Sequence, residues 1–395
     1  MKKQNKGITL VALVITIIIL LILAGISISA LTGSGLFQKA GDAKNSYEEA
    51  ERRENSILGE YENYIDNLGN GGSTGSLPSN AETTPYLPDS SSKIIENSNL
   101  ETGLVVADKN NNEWVWIVVP KSVTASATTD LEIENALQTY ATDYRSSWTD
   151  EWYEGCGLTE AQYNENKSKM LQSIKANGGF WISRYEAGIE GSVQNPSLAR
   201  TEPGELTTSS PKAVSKPDHI PYNWVTCSQA QNLASQMSPE TTKTSSLLFG
   251  IQWDLVCKYL EGKDGLTTAD INEDSSSWGN YSNNSLNITS AKAMGAEFNT
   301  STYQLGEWQN VTEKPANKLS LLTTGASIGT KKMNIYNFAS NEAECTLEKA
   351  TSSSDPCSIR GGIYSLTGSD YPASARNDYD PSSGNDVIGL RVSLY

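Results

Sequence analysis

The chain has 395 residues, with 30 Lys and Arg against 46 Asp and Glu, a formal net charge of −16 and a single histidine, His219. A basic nucleic-acid footprint is absent, and one imidazole cannot build a multi-histidine site. Charge of this sign keeps an exported protein soluble and disfavours anionic surfaces, and it says little about fold.

Residues 1–6 form a short basic leader with Lys2, Lys3 and Lys6, and no charged side chain follows until Lys39. As a helix, residues 8–31 would span roughly 36 Å, enough for a ~30 Å hydrocarbon core with some tilt. The lysine asymmetry places the leader inside and the remaining chain outside the membrane. The small-residue boundary Gly7–Ile8 precedes the apolar run, an order that resembles the type IV prepilin leader. That resemblance implies cleavage between Gly7 and Ile8 and packing of the helix against pilin-like subunits. Ala12 stands where the family has a glutamate, which favours a minor subunit or a simple anchor. The helix is expected to continue to residue 66, with Leu36, Ala40, Ala43, Tyr47, Ala50, Ile57, Tyr61, Tyr64 and, just beyond it, Leu68 on one stripe that is interrupted only at Glu54. Residues 67–93, rich in Gly, Ser and Pro, read as a linker.

The head, 94–395, carries −19 of charge together with the helix that precedes it once the leader lysines are removed. Its apolar run 114–119 and the segment 180–186 read as strands. Residues 228–237, entered through Thr226, and 247–260 read as helices. The Asn/Ser/Thr-rich stretch 262–319 reads as an insertion or long loop. Five cysteines, Cys156, Cys227, Cys257, Cys345 and Cys357, show no CxxC pair and no metal-finger spacing. Cys345 and Cys357 are the closest in sequence and the first candidates for a disulfide. His219, beside a proline-rich turn, reads as a surface structural residue.

In order, the segments FWISRYEAG, VTCSQAQNLA, GIQWDLVCKYL, NIYNFASNEAECTLE, IRGGIY and IGLRVSLY resemble the formylglycine-generating-enzyme-like domain. The resemblance implies an α+β head of the C-type-lectin-like fold. It also implies a framework of Arg360, Gly361, Gly362, Arg376 and Arg391, and calcium at Asn341 and Glu344. Oxidases of that family carry a cysteine pair soon after the Arg-Gly-Gly strand, yet residues 363–376 read IYSLTGSDYPASAR. Iron-dependent relatives need histidines that this chain lacks. The expectation is therefore no enzyme and no cofactor apart from calcium.

What remains is a Tyr/Ser/Asn/Asp-rich segment, which has the composition of an adaptable binding face. Its candidate ligand-binding residues are Tyr364, Ser365, Ser369, Asp370, Tyr371, Ser374, Asn377, Asp378, Tyr379, Ser382, Ser383, Asn385 and Asp386. It resembles the variable region of proteins diversified by retroelements. The resulting expectation is a membrane- or pilus-anchored, adhesin-like protein whose extracellular head binds an external protein or cell-surface ligand. A structural minor pilin and an oxygen-dependent formylglycine-type oxidase are the alternatives.

Overall fold

The computed structural model describes residues 77–95 and 98–395, all within one of the chain's two units, Gly72–Tyr395. The run EWVWIV forms the strand Glu113–Val118, with Trp114, Val115, Trp116 and Ile117 all inaccessible. Successive strand side chains point to opposite faces, so an unbroken buried run means that both faces are covered. This strand pairs antiparallel with Val105–Ala107 and with Gly179–Ser183. The six-stranded sheet then runs Lys93–Ile94, Val105–Ala107, Glu113–Val118, Gly179–Ser183, Val392–Leu394, Ser245–Leu247. Trp116 and Trp181 are cross-strand partners with ring centroids 5.0 Å apart. Each such fully buried large side chain contributes about 1.5–3 kcal/mol.

Helices α1 (Asp130–Tyr140), α2 (Glu160–Asn177) and α3 (Cys227–Ser235) start in the same way. Thr129, Thr159 and Thr226 accept the N3 amide, while Glu132, Gln162 and Gln229 return to the threonine amide. These reciprocal capping boxes satisfy donors that a helix start otherwise leaves open. Helix α2 ends at Gly178, whose φ of 69° is left-handed and whose Cβ, if present, would run into the Glu82 carbonyl. Helix α4 (Gly250–Leu260) is buried at every residue except Lys258, as expected of a helix that is apolar nearly all round. Its first turn has no Ser or Thr cap. Instead the Asp150 carboxylate accepts from Gly250 N at 2.6 Å and Ile251 N at 2.9 Å. The short α5 spans Thr268–Asn272.

A second, four-stranded sheet runs Arg376–Tyr379, Cys357–Arg360, Ala343–Lys349, Ile388–Leu390, with only the last pairing parallel. Arg391 lies where the chain leaves this sheet for the first one. Its guanidinium pairs with Glu344 and donates to the carbonyls of Ser183 at 3.0 Å and Tyr336 at 2.9 Å, so one side chain ties both sheets together. The larger joint is ionic. Arg360 reaches Asp254 on α4 and Glu348 on the sheet, both at 2.8 Å. Arg376 reaches Asp254 at 2.6 Å and Glu348 at 2.9 Å, and Arg145 reaches Asp254 at 2.5 Å. Burial works against the Glu348 carboxylate, but Arg360 and Arg376 outweigh it and hold its pKa down at about 2. Gly250 is required by this packing, because a Cβ there would lie 2.6 Å from Glu348 Cδ.

Four expectations change. The stretch 262–319 is not loop alone: it carries α5 and the strand Met294–Asn299, which pairs with Gln304–Leu305, Gln309–Asn310 and Ser320–Leu322. A small apolar cluster of Leu286, Ala293, Leu322 and Ala326 supports it. The helix expected from 247 starts at Gly250, because Leu247 pairs with Val392 in the first sheet. Two helices, α1 and α2, add to those read from the sequence. The leader with Gly7 and Ile8 and the helix 8–66 lie outside the described residues, and among the described residues no helix is long and apolar enough to cross a membrane. The fold is thus described as an α+β domain. The readings of a pilin-like helix, membrane and pilin-subunit partners, and an anchored extracellular head have no element here to rest on and are withdrawn.

Replacing Arg360 with Met removes the one fully buried guanidinium that two buried carboxylates share. The expected cost is about 3–5 kcal/mol of unfolding free energy, measured by urea titration. A loss below about 1 kcal/mol would mean that Arg145 and Arg376 carry the network without it.

Candidate functional site

Cys227 is the first residue of α3, Cys345 sits inside the strand Ala343–Lys349, and Cys357 opens the strand Cys357–Arg360. Helix α3 packs on the strand that holds Cys345, and the two strands pair with a register shift between Cys345 and Lys349. The three sulfurs therefore converge, all within 4.8 Å of one another and all buried. Cys227 and Cys357 form a disulfide, in place of the Cys345–Cys357 pairing expected from sequence, and their Cα atoms are 7.0 Å apart. Cys345 keeps its hydrogen and lies 3.8 Å from Cys227 Sγ. Burial, with Glu342 and Glu344 adding to it, pushes the Cys345 thiol up to about 12.

A cleft of about 840 Å³ opens beside this centre. Thr226 and Ser228, on either side of Cys227, line it, as does Pro356, which precedes Cys357. Trp152, Tyr153 and Pro381 supply apolar wall. The Tyr153 hydroxyl donates to the Thr346 carbonyl at 2.8 Å, and Cys227 N donates to the Pro381 carbonyl at 3.1 Å. The thiol centre thus sits one residue behind the wall of the cleft. Three soft sulfur donors at this spacing fit a small thiophilic ion. A metal–sulfur bond near 2.3 Å places trigonal or tetrahedral sulfurs roughly 4 Å apart. The N-terminus of α3 adds a partial positive charge where Cys227 would ionise.

This cluster corrects the expectation of a chain with no catalytic or cofactor-type residue set. The ligand atoms do not follow the Arg-Gly-Gly strand as a pair. They come from three segments, with Cys227 118 residues from Cys345 and 130 from Cys357. Calcium does not suit the donors present. Asn341 Oδ1 already accepts from Asn280 Nδ2 at 2.7 Å and Leu322 N at 3.0 Å. Both Glu344 oxygens accept from Arg391 Nε at 3.0 Å.

The residues of the expected binding segment divide by exposure. Ser369, Asp370, Asp378 and Ser382 are exposed. Ser365, Tyr371, Ser374, Asn377, Tyr379, Ser383, Asn385 and Asp386 are half-buried. Tyr364 is fully buried, with its hydroxyl donating to Asp386 Oδ2 at 2.7 Å. Much of the segment's polar capacity serves its own turns, as when Thr367 donates to Asp370 and Asn385 Oδ1 accepts from Val387 N. Only Ser382 among them lines the cleft. Arg360, Arg376 and Arg391 belong to the ion pairs above. Gly361 has a left-handed φ of 77°, and Gly362 has no room for a side chain beside the Tyr371 carbonyl. His219 is buried, its Nδ1 donating to the Pro217 carbonyl at 2.7 Å.

Beneath the segment lies a group that sequence reading missed. Glu186 and Glu342 are buried, and each has at least one oxygen without a hydrogen-bond partner. Glu186 Oε1 accepts from the side-chain amides of Asn337 and Asn341. Burial raises the Glu186 pKa to about 8, with Glu344 adding to the shift and Asn337 and Arg391 opposing it. Burial, then Glu186 and Asp386, raises Glu342 well above the carboxylate range.

No family model matches the chain, and no curated protein matches it. Among solved structures, variable protein 1 of Treponema denticola is similar at 14% identity and a TM-score of 0.30, over 55% of this chain and 84% of that one. The crystal structure of CarF is similar at 13% identity and a TM-score of 0.34, over 54% and 85%. PvdO from Pseudomonas aeruginosa is similar at 15% identity and a TM-score of 0.28, over 55% and 81%. Likenesses at this level carry no argument, and the site stands on its own geometry.

A carboxyl group whose pKa is raised by folding stabilises the fold below its unfolded pKa, and that contribution is lost as pH rises through the folded value. For Glu186 the window runs from the ordinary glutamate value of 4.5 to about 8. Unfolding free energy should fall across pH 5 to 8, by up to about 1.4 kcal/mol per pH unit for each proton retained. Glu186→Gln, which keeps an acceptor for Asn337, should flatten that slope in urea titrations. An unchanged slope would show that Glu186 is ionised in the fold.

Proposed function

We propose that the domain is a thiolate-based soft-metal protein of the oxygen-dependent oxidase class, with Cys227, Cys345 and Cys357 as ligands and the adjoining cleft as the substrate site. The observation that carries this reading is the meeting of three buried cysteine sulfurs, two of them joined as a disulfide, from a helix start and two neighbouring strands, within 4.8 Å behind the wall of a cleft. Sulfurs grouped this way are costly to ionise: burial, with Glu342 and Glu344 adding to it, pushes the Cys345 thiol up to about 12. A monovalent copper or similar ion compensates that cost and prefers sulfur to the oxygen donors that hard cations take. When bound, such an ion supplies one-electron and dioxygen chemistry.

The chain's own residues contribute the remainder. Burial of all three sulfurs keeps water from the centre, and the N-terminus of α3 favours the thiolate at Cys227. Trp152, Tyr153 and Pro381 offer apolar contact to a substrate, while Thr226, Ser228 and Ser382 offer hydroxyls for orientation. Lys349, Glu154 and Asp380 at the same cleft supply charges of both signs, which suits a polar, zwitterionic or peptide-like substrate over a purely apolar one.

The direct test titrates the fully reduced protein with copper(I) against a chromogenic chelator. One equivalent should bind. Cys345→Ala should weaken binding by more than the roughly 10–100-fold that loss of an outer-shell partner costs. Cys156→Ala, which removes a buried thiol outside the cluster, should leave binding unchanged. Failure of the reduced protein to compete with the chelator, or equal binding by Cys345→Ala, would overturn the assignment.

A further inference from the structure

A second pocket, of about 400 Å³, opens where the loop before α2 meets the far end of α3 and the edge strand Ser245–Leu247, and it shares no lining residue with the cleft. The segments come close here: Gly157 has a left-handed φ of 83°, and a Cβ on it would lie 2.9 Å from both Gln231 Cβ and Ser228 Cα. The chain carries 46 acidic side chains against 30 basic ones, yet among the described residues no Asp or Glu lines this pocket. Lys243 is its one charged group, and the ammonium rests over the Tyr86 ring, 3.9 Å from the centroid, instead of in an ion pair.

The backbone fixes which way the pocket's carboxamides point. Gln231 Oε1 accepts from Leu247 N at 3.0 Å, and Gln162 Oε1 accepts from Thr159 N at 3.0 Å. A backbone N–H can only donate, so both side chains turn their oxygen to the protein and keep the NH2 for another partner. In Gln231, which is 1% exposed, that NH2 is buried and has no partner. Leaving a buried donor open costs about 1–3 kcal/mol. The hydroxyls are set in the opposite sense. Ser245 Oγ donates to the Ala234 carbonyl at 2.7 Å and Ser235 Oγ to the Asn232 carbonyl at 2.8 Å, so both offer lone pairs. The same two bonds occupy carbonyls at the end of α3, where a helix is otherwise unfavourable to an anion.

We propose that this pocket binds a small hydroxy acid, its carboxylate held by Lys243 and the NH2 groups of Gln162 and Gln231, its hydroxyls donating to Ser235 and Ser245. A carboxylate accepts through two oxygens and takes the strongest bonds from charged donors. A single ammonium among neutral amides matches one negative charge, and a lining without carboxylates does not suit a cation. The volume falls at the lower end of small-molecule sites, roughly 300–1,000 Å³.

The test is calorimetric titration of the whole chain with D-gluconate and with sorbitol, which has the same run of hydroxyls and CH2OH in place of the carboxylate. Gluconate should bind at least about tenfold more tightly than sorbitol, the worth of one charge-assisted hydrogen bond. Lys243→Gln should remove that preference. Gln162→Glu keeps the oxygen that closes the capping box of α2, and so keeps the helix start, but turns the free NH2 into a carboxylate oxygen. It should weaken gluconate by at least about tenfold and sorbitol by much less. No binding of gluconate, equal affinity for sorbitol, or an unchanged preference in both variants would overturn the site.

Discussion

The buried contact between α4 and the four-stranded sheet is the constraint on which the site depends. Asp254 on the helix and Glu348 on the sheet share Arg360 and Arg376, and Arg145 joins them from a preceding loop. Asp150 completes the balance by capping α4 beside Arg145, so three guanidiniums face three carboxylates. Such a network is poor evidence of net stabilisation, since charge burial costs about as much as pairing returns, but it is highly selective for one arrangement. Only one placement of helix on sheet satisfies every member, and Gly250 shows how close that placement is. The strands fixed in this way, Ala343–Lys349 and Cys357–Arg360, are the ones that carry Cys345 and Cys357.

The second constraint works at the other end of the same strand. Arg391 pairs with Glu344 and holds the chain as it passes between sheets, which settles the strand immediately beside Cys345. Around it the electrostatics are unbalanced. Glu186 and Glu342 have no basic partner of their own and remain protonated well above the usual carboxylate range. Burial is common to both groups: at Glu348 the pull of Arg360 and Arg376 outweighs it, whereas at Glu186 burial, with Glu344 adding to it, outweighs Arg391 and the side-chain amides. Cys345 lies between these regimes and inherits the acidic one, with Glu342 and Glu344 reinforcing the effect of burial on its thiol.

Local features were legible in the sequence where the chain itself determines them. The run at 114–119 became the strand Glu113–Val118, and Thr226 caps α3, because both depend on neighbours in sequence. Leu247 was misplaced in a helix because its partner, Val392, is far along the chain. Helices α1 and α2 carry capping-box residues, but their polar faces hide the periodicity of Ile133 and Leu137, or of Met170, Leu171 and Ile174. The polar stretch 262–319 folds through short local pairings that composition does not reveal. The thiol centre was not legible at all. Spacing rules for metal sites look for ligands on one turn or one hairpin, whereas this centre needs a helix start laid across two strands. Tyr364 shows the reverse error, a residue suited by type to a binding face that the fold turns inward onto Asp386.

The central claim is that Cys227, Cys345 and Cys357 together bind a soft metal. X-ray absorption at the copper edge of the reduced, copper(I)-loaded chain measures the ligand shell directly. The account expects three sulfur neighbours at roughly 2.3 Å, as in other metal–thiolate bonds, falling to two in Cys345→Ala. A shell of nitrogen and oxygen, or an identical sulfur shell in Cys345→Ala, would contradict it.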